Sequence, residues 1–243
     1  MWLDADDTLD EDNRQKLRTL FAGLGHDLAA YLMRQHSFPD AVSNAALVVD
    51  QVKLFCHDPR LRFEYRIHEQ ILPALLRLGG VVRTTDIVIH HSGYQNPQLR
   101  RRKLERNQRL LLLDQAERPD DPLTLFNLGT LHLDLGRPAE AVAFLRRGLE
   151  RVPAGYSLLP RLHGLLTCGL YRLGRKEEAL AACRRGRVAY PDEGDLLFWE
   201  AQLLGERGDE TGAEASLRRL LSLPPGPALA CLDPGIHGYK SRH

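Results

Sequence analysis

The feature that most constrains this chain is a set of glycine, alanine and proline residues that recurs in its C-terminal half. The set occurs three times: the second copy lies 38 positions after the first, and the third lies 34 positions after the second. The sets are Gly136, Ala141 and Pro153, then Gly174, Ala179 and Pro191, then Gly208, Ala213 and Pro225. Glycine permits the left-handed conformation that ends a helix, alanine lets two helices approach, and proline stops the second helix. The pattern therefore predicts stacked pairs of antiparallel helices.

This pattern resembles the tetratricopeptide repeat, a helix–turn–helix unit with a period of about 34 residues. The first copy begins PLTLFNLGTLHLDLG at Pro122 and has Gly129 in its first helix. The second copy has Thr167 at the matching position and is degenerate. The predicted copies are 122–155, 160–193 and 194–227, with the start of another before residue 243. Such repeats stack into concave surfaces, so the resemblance implies a protein or peptide partner for residues 122–243.

The N-terminal part of the chain has a different pattern of apolar residues and is predicted to form a separate domain, residues 1–96. Apolar residues at helical spacing predict one helix within 8–24, and a short amphipathic pattern predicts another over 69–78. The segments rich in β-branched residues, 45–55 and 85–91, are typical of buried strands. Strands alternating with helices indicate an α/β layer. A long helix from about Pro97 to Glu117 is predicted to connect this layer to the repeats, within a linker of residues 97–121.

An acidic cluster opens the chain in the sequence MWLDADDTLDEDNRQKL. Asp4 and Asp6 follow three apolar residues and are predicted to lie on a loop that leaves a strand. Carboxylates spaced in this way can converge on a hard divalent cation, which prefers oxygen ligands. The alternative is that Asp7 or Thr8 caps the following helix, with acidic residues in its first turn.

Four segments, taken in order, resemble family 2 glycosyltransferases that carry tetratricopeptide repeats. WLDADD before a helix is similar to the family's DxD segment. RIHEQ, residues 66–70, is similar to the segment that supplies the base in inverting members. IHHSGY, residues 89–94, is similar to the HxGY segment, and GIHGYK, residues 235–240, is similar to a link among the repeats. The resemblance implies a partial α/β domain of the GT-A type followed by all-α repeats.

The resemblance also implies an enzyme that transfers a sugar from a nucleotide-sugar donor to an acceptor hydroxyl. The implied cofactor is Mn²⁺ or Mg²⁺, held by Asp4, Asp6 and His91. His91 also lies at the donor diphosphate, and Glu69 is the general base that takes the proton of the acceptor hydroxyl. Each residue type suits its role, because a divalent ion neutralises a departing diphosphate and a carboxylate accepts a proton.

A basic stretch follows at residues 100–109. Arg101 and Lys103 are predicted to help close over the donor diphosphate, because guanidinium and ammonium groups bind phosphate oxygens. The alternative is an ordinary solvated face of a helix. Nucleic-acid binding is not predicted, since 33 basic and 32 acidic residues leave a net charge of +1 without a companion basic patch.

Composition indicates the cellular compartment and the class of protein. Hydrophobic residues make up 43% and charged residues 27% of 243 residues, which is typical of a globular protein. The four cysteines are scattered without paired spacing, which indicates a reducing compartment rather than a disulfide or zinc framework. No leader pattern or membrane-length apolar run is evident. A cytoplasmic location is therefore expected.

Three further expectations concern what the chain can do. Family members carry a nucleotide-binding half before the DxD strand, whereas three residues precede Asp4 here, so we expect a fragment, cut at both ends, with little activity of its own. A non-catalytic alternative is a repeat scaffold with a remnant α/β half. A lesser alternative is a haloacid-dehalogenase-type phosphatase, whose D-x-D-x-T loop matches Asp4, Asp6 and Thr8, although only Asp86 could serve as its later acidic residue.

Overall fold

The computed structural model describes residues 1–37, 47–92, 97–153 and 158–223. The chain divides into two compact units, with the boundary between Arg100 and Arg101. In no helix of these described ranges is there a stretch long and apolar enough to cross a membrane.

The first unit contains a four-stranded mixed sheet with two helices. In chain order its elements are β1 (Asp7–Thr8), α1 (Glu11–Ala22), β2 (Ala29–Ser37), β3 (Leu47–Phe55), α2 (Leu72–Arg77) and β4 (Val81–His91). The strand order is β1-β4-β2-β3. β2 and β4 are parallel, and the two outer pairs are antiparallel. β4 therefore lies inside the sheet, beside the short strand that follows the acidic cluster.

The two helices cover opposite faces of this sheet. Alternate residues of a strand point to opposite faces, and the neighbours Ala29 and Ala30 accordingly belong to different cores. On one face Met33 packs with Leu17 and other apolar residues of α1. On the other face the buried Leu75 of α2 packs with Ala30. A sheet covered in this way is held by burial of apolar surface on both sides.

Two predictions for this unit are wrong in detail. The helix predicted over 69–78 begins at Leu72, because Glu64 and Gln70 exchange two backbone hydrogen bonds of 2.9 Å and hold Gln70 in an extended bridge. Within the described part of the chain, residues 1–3 form no strand. Trp2 instead donates a single backbone hydrogen bond to the Lys53 carbonyl, at 2.9 Å. The unit is a small mixed sheet, and the partial GT-A-type domain that the resemblance implies stays a prediction.

The second unit is helical. The long helix α3 (Pro97–Glu117) has the predicted bounds and crosses from one unit into the other. The helices that follow are α4 (Pro122–Asp134), α5 (Pro138–Arg151), α6 (Leu159–Arg172), α7 (Lys176–Ala189), α8 (Gly194–Arg207) and α9 (Glu210–Ser222). Each even-numbered helix packs on the odd-numbered helix that follows it, and successive pairs also contact each other. The predicted stack of helical repeats is confirmed.

The residues that define the repeat act as the sequence predicts. Gly136, Gly174 and Gly208 have φ angles of 70°, 74° and 86°, so each turn uses the left-handed region that favours glycine. Close packing is equally clear at Gly129, where an added Cβ would lie 2.5 Å from Cγ of Leu145. The first and second helices of this repeat therefore approach at a distance that a larger residue would prevent. Pro225 and residues 235–240 lie outside the described residues.

Candidate functional site

The acidic cluster forms a closed turn next to the end of β4. The backbone nitrogen of Asp7 donates to the Asp4 carbonyl at 3.0 Å, and the backbone nitrogen of Asp4 donates to Oδ2 of Asp7 at 2.9 Å. Pairing of β1 with β4 sets Asp7 directly opposite His91. The turn and the strand pairing together fix the positions of these carboxylates.

The Asp7 carboxylate is the centre of the cluster. Its side chain is fully buried, and its Oδ1 lies 2.9 Å from Nδ1 of His91. Its Oδ2 accepts hydrogen bonds from the Asp4 backbone and from Nζ of Lys53, each at 2.9 Å. Burial raises the pKa of Asp7, but the hydrogen bonds from Lys53, Asp4 and His91 outweigh burial and hold this pKa below its ordinary value. Asp7 is therefore a buried, charged carboxylate.

Lys53 supplies the opposite charge from β3. Its side chain is 0% exposed, and its Nζ also donates to Oδ2 of Asp4 at 3.3 Å. The indole ring of Trp2 covers this ammonium group, with 4.2 Å between Nζ and the ring centroid. Trp2 is itself held by a hydrogen bond from Nε1 to the Val52 carbonyl, at 3.0 Å. The cluster is thus a buried ion pair with an aromatic cover.

Three side chains of the cluster offer atoms that could serve as ligands of a divalent cation, although Nζ of Lys53 already contacts two of these side chains. Asp4, Asp7 and His91 each offer one ligand atom, and these atoms all lie within 4.8 Å of one another. Carboxylate oxygens with an imidazole nitrogen are a donor set that Mn²⁺ and Mg²⁺ accept. Asp6 lies close by, with its Oδ1 3.5 Å from Nδ1 of His91. Asp4 and His91, two of the predicted metal ligands, are therefore brought together, and their binding of a metal stays a prediction.

The alternative that Asp7 or Thr8 caps α1 is wrong, although acidic residues, Glu11 and Asp12, do lie in its first turn. The N-cap of α1 is Asp10, whose carboxylate accepts from the Asn13 backbone nitrogen at 2.8 Å. Asp7 and Thr8 instead form β1. A short strand separates the acidic turn from the helix, which leaves the Asp7 carboxylate to face Lys53 and His91.

The other predicted site residues lie apart from this cluster in the chain. Glu69 is exposed in the loop before α2, and the cluster of potential ligand atoms among the described residues does not include it. Arg101 and Lys103 belong to α3 beyond the unit boundary, where Nε of Arg101 contacts the Glu105 carboxylate at 3.2 Å. The roles of Glu69, Arg101 and Lys103 stay predictions. Gly93 and Tyr94 of the HxGY-like segment lie outside the described residues.

Sequence reasoning missed the two most buried members of the cluster. The sequence pattern suggests only a capping role for Asp7, although a third carboxylate within four residues is a signal for a shared cation. Lys53 carries a signal as well, because it lies between the apolar residues Val52 and Leu54 of β3. A lysine in a buried strand needs a partner, and the structure supplies two carboxylates.

A second candidate site is the face formed by the first helices of the repeats. α4 contacts α6, and α6 contacts α8. The guanidinium of Arg161 lies over the Phe126 ring, 5.5 Å from its centroid, and Arg172 donates to the Leu133 carbonyl at 2.8 Å. Two arginines of α6 therefore bridge to α4 along this side of the stack.

The same face continues from α6 to α8 through Tyr171. Its hydroxyl donates to the Glu206 carboxylate and accepts from Nε2 of Gln202 at 3.0 Å. Its ring lies 5.3 Å from that of Trp199, between centroids. None of these side chains is fully buried. The first helices thus carry aromatic, basic and acidic groups that contact one another between neighbouring repeats.

The comparisons with known proteins agree with the helical half. Models of the tetratricopeptide repeat match residues 122–147 and 168–228. Neither model describes a glycosyltransferase, so the resemblance of residues 1–96 to that family stays a prediction. The helices within these two ranges are therefore similar to tetratricopeptide repeats.

A curated relative and several solved structures are similar over about half of this chain. Cellulose synthase 2 operon protein C of Komagataeibacter xylinus is 29% identical over 125 residues, which are 51% of this chain and 9% of that protein. A crystal structure of MamA is 17% identical with a TM-score of 0.45, covering 55% of this chain and 77% of MamA. PcrH, in complex with the chaperone binding region of PopB, is 20% identical with a TM-score of 0.43, covering 50% of this chain and 92% of PcrH.

Proposed function

We propose that the repeats bind an extended segment of a partner protein along the face formed by α4, α6 and α8. The observation that carries this proposal is a set of side chains that link α6 to α4 and α8 without being buried themselves, namely Arg161 over the buried Phe126 and the Tyr171 network. Stacked repeats create extended concave surfaces of this kind. The chain then acts as a protein-interaction scaffold.

The chemistry of this face suits a peptide. Tyrosine, tryptophan and arginine are the residues that most often dominate binding energy at interfaces. Tyr171, Trp199 and Arg161 are all on the first helices, and hydrogen bonds or ring contacts orient each of them before a ligand arrives. Because less side-chain freedom remains to be lost, binding to such a surface costs less conformational entropy.

A peptide selected from a random library against the full chain provides the test. Tyr171→Ala is expected to weaken binding of that peptide about 30-fold, equivalent to about 2 kcal/mol, by removing a central aromatic contact. Fluorescence polarisation with a labelled peptide measures the change. The matched control is Val188→Ala on the second helix α7, where Val188 is 87% exposed and no change is expected. Equal losses of affinity in Tyr171→Ala and Val188→Ala would show that the peptide does not bind to this face.

A second candidate function rests on the convergence of Asp4, Asp7 and His91. We propose that the first unit contributes a divalent-metal site to the transfer of a sugar from a nucleotide-sugar donor. A divalent cation there supplies positive charge that stabilises a departing diphosphate. Asp4, Asp7 and His91 would hold the cation, and Asp6 would support His91. Glu69 would accept the proton of the acceptor hydroxyl.

The test of this candidate is Mn²⁺-dependent binding of a nucleotide sugar, measured by isothermal titration calorimetry. Asp4→Asn removes one ligand charge and preserves the shape of a half-exposed side chain. We expect at least about a tenfold loss of binding, because a neutral amide is a poorer ligand for a hard cation. Asp12→Asn, at a 76% exposed side chain of α1, is the control. If Asp4→Asn binds the nucleotide sugar as the wild type does, the cluster does not hold the metal for this function.

A further inference from the structure

One core position of the second repeat holds a histidine where the other repeats hold leucine. The spacings of 38 and 34 residues between copies relate His163 to Leu125 and Leu197, both of which are 0% exposed. An added Cβ at Gly186 would lie 2.8 Å from Cβ of His163. At Gly148, 38 positions earlier, an added Cβ would lie 3.6 Å from Cβ of Leu125. His163 therefore occupies a leucine site between α6 and α7.

A second core position shows the same replacement in the first repeat. The same spacings relate His132 of α4 to Leu170 and Leu204, which are 1% and 4% exposed. His132 is itself buried, and its ring centroid lies 5.3 Å from that of Phe144 on α5. Two titratable rings thus lie at positions that the other copies of the repeat fill with hydrocarbon.

Neither ring is placed to take up a second proton within the fold. Nδ1 of His132 and Nδ1 of His163 are both buried, and neither has a hydrogen-bond partner among the residues that the structure describes. A proton added there would create an N–H donor without an acceptor and a positive charge shielded from water. Both are costly in a protein interior. The folded repeats therefore favour the neutral form of each ring.

The charges around His163 act in the same direction. Burial lowers the pKa of His163, and the guanidinium of Arg185 on α7 lowers this pKa further. A hydrogen bond with the backbone of Ala182 raises this pKa without offsetting the burial. Of the other helices packed on α6, α5 contacts it with apolar groups such as Val142, and α8 brings Asp195 against the residue after His163. The fold thus holds the pKa of His163 below its ordinary value.

The surroundings of His132 lead to the same result. Burial lowers the pKa of His132, the carboxylate of Glu140 on α5 raises it in part, and Arg137 lowers it. From α6, Arg172 donates to the carbonyl of Leu133, the residue next to His132, and so adds a positive charge beside α4. Burial outweighs the single opposing carboxylate.

We propose that His132 and His163 make the first two repeats acid-sensitive, so that mild acid loosens the packing of α4 to α7. An unfolded histidine takes up a proton below about pH 6.5, whereas these two buried rings resist it. The unfolded chain then binds more protons than the folded chain, so stability is lost as the pH falls through 6.5. The third repeat has leucine at both positions. This inference does not depend on peptide binding.

Urea unfolding of the full chain, followed by circular dichroism at pH 7.5 and pH 5.5, tests the proposal. A histidine that stays neutral in the fold raises the unfolding equilibrium constant about tenfold over this range, so two give up to about 100-fold. The double variant His132→Leu with His163→Leu, which copies the other repeats, should lose this part of the acid response. His26→Leu, at an exposed histidine of the first unit, is the matched control and should keep it. An acid response of the double variant equal to that of the wild type would overturn the proposal.

Titration of the histidine ring signals by nuclear magnetic resonance gives an independent measurement on the wild-type chain. The signal of the exposed His26 should shift around pH 6.5, whereas those of His132 and His163 should stay in their neutral form to lower pH. If all three rings titrate together, the proposal is wrong. If the leucine variants fail to fold, His132→Gln with His163→Gln replaces them, because glutamine is polar and does not titrate. An unchanged acid response in that pair would equally contradict the proposal.

Discussion

Replacing Asp7 by alanine is expected to destabilise the first unit by about 3–5 kcal/mol, because it leaves the Lys53 ammonium buried without its closest partner. Lys53 is 0% exposed and cannot recover water without disturbing β3 and Trp2. The backbone nitrogen of Asp4 and Nδ1 of His91 lose a partner at the same time. The effect is therefore larger than that of removing an ordinary surface ion pair, which is worth about 0–1 kcal/mol.

Urea denaturation can assign this loss to the first unit, because the chain has two tryptophans, one in each unit. In a Trp199→Phe background, fluorescence reports on Trp2 and hence on the cluster. Asp12→Ala, which removes an exposed partner of Lys16 on α1, is the control and should cost less than about 1 kcal/mol. The double variant with Lys53→Met should lose less than the sum of the single changes, since it removes both charges of the pair. Equal effects of Asp7→Ala and Asp12→Ala would contradict the buried ion pair.

The second large effect is expected in the repeats, where Glu200→Ala should cost about 3 kcal/mol of unfolding free energy. Glu200 is 7% exposed on α8 and accepts hydrogen bonds from Arg187 and Arg184 of α7 and from Oγ of Ser216 of α9. Its loss leaves two guanidinium groups and a buried hydroxyl with fewer acceptors. Three neighbouring helices lose their common partner, so we expect the last two repeats to loosen together.

Loss of helical signal by circular dichroism in urea measures this effect, because the described residues of the second unit form helices joined by short turns, without strands. The control is Glu206→Ala, one turn and a half further along α8, where the carboxylate contacts Lys176 and Tyr171 near the surface. That change is expected to cost about 1 kcal/mol or less. A Glu206→Ala variant as unstable as Glu200→Ala would show that burial does not decide the difference.

The repeats are the part of the fold that sequence patterns predict best. Each repeat is a local structure: a glycine in the left-handed region ends one helix, and a small residue lets the next helix pack on it. Gly136, Gly174 and Gly208 have the predicted conformation, and Gly129 makes the predicted close approach to Leu145. Neighbouring repeats then bury one another's apolar faces, so the helices that the local pattern predicts are also the helices that pack.

Local sequence patterns predict the elements of the first unit less well. β2 has no counterpart among the predicted strands, although it lies at the centre of the sheet between β4 and β3. Its own residues, AAYLMRQHS, mix strong and weak strand formers. The helix α2 starts three residues later than its apolar pattern predicts, because Gln70 pairs with Glu64 instead. In both cases a contact with another segment overrides local preference.

The sequence by itself determined the stacked repeats and the elements α1 and α3, and it predicted a cluster of carboxylates at the start of the chain. Only the tertiary structure decided which residues form that cluster. Asp7 meets Lys53 across 46 positions and His91 across 84, through a sheet whose strand order no local pattern encodes. The physical reason is the separation along the chain of the residues that interact. A helix and its turn depend on residues a few positions apart. The partner of a buried charge is decided by strand pairing over the whole unit.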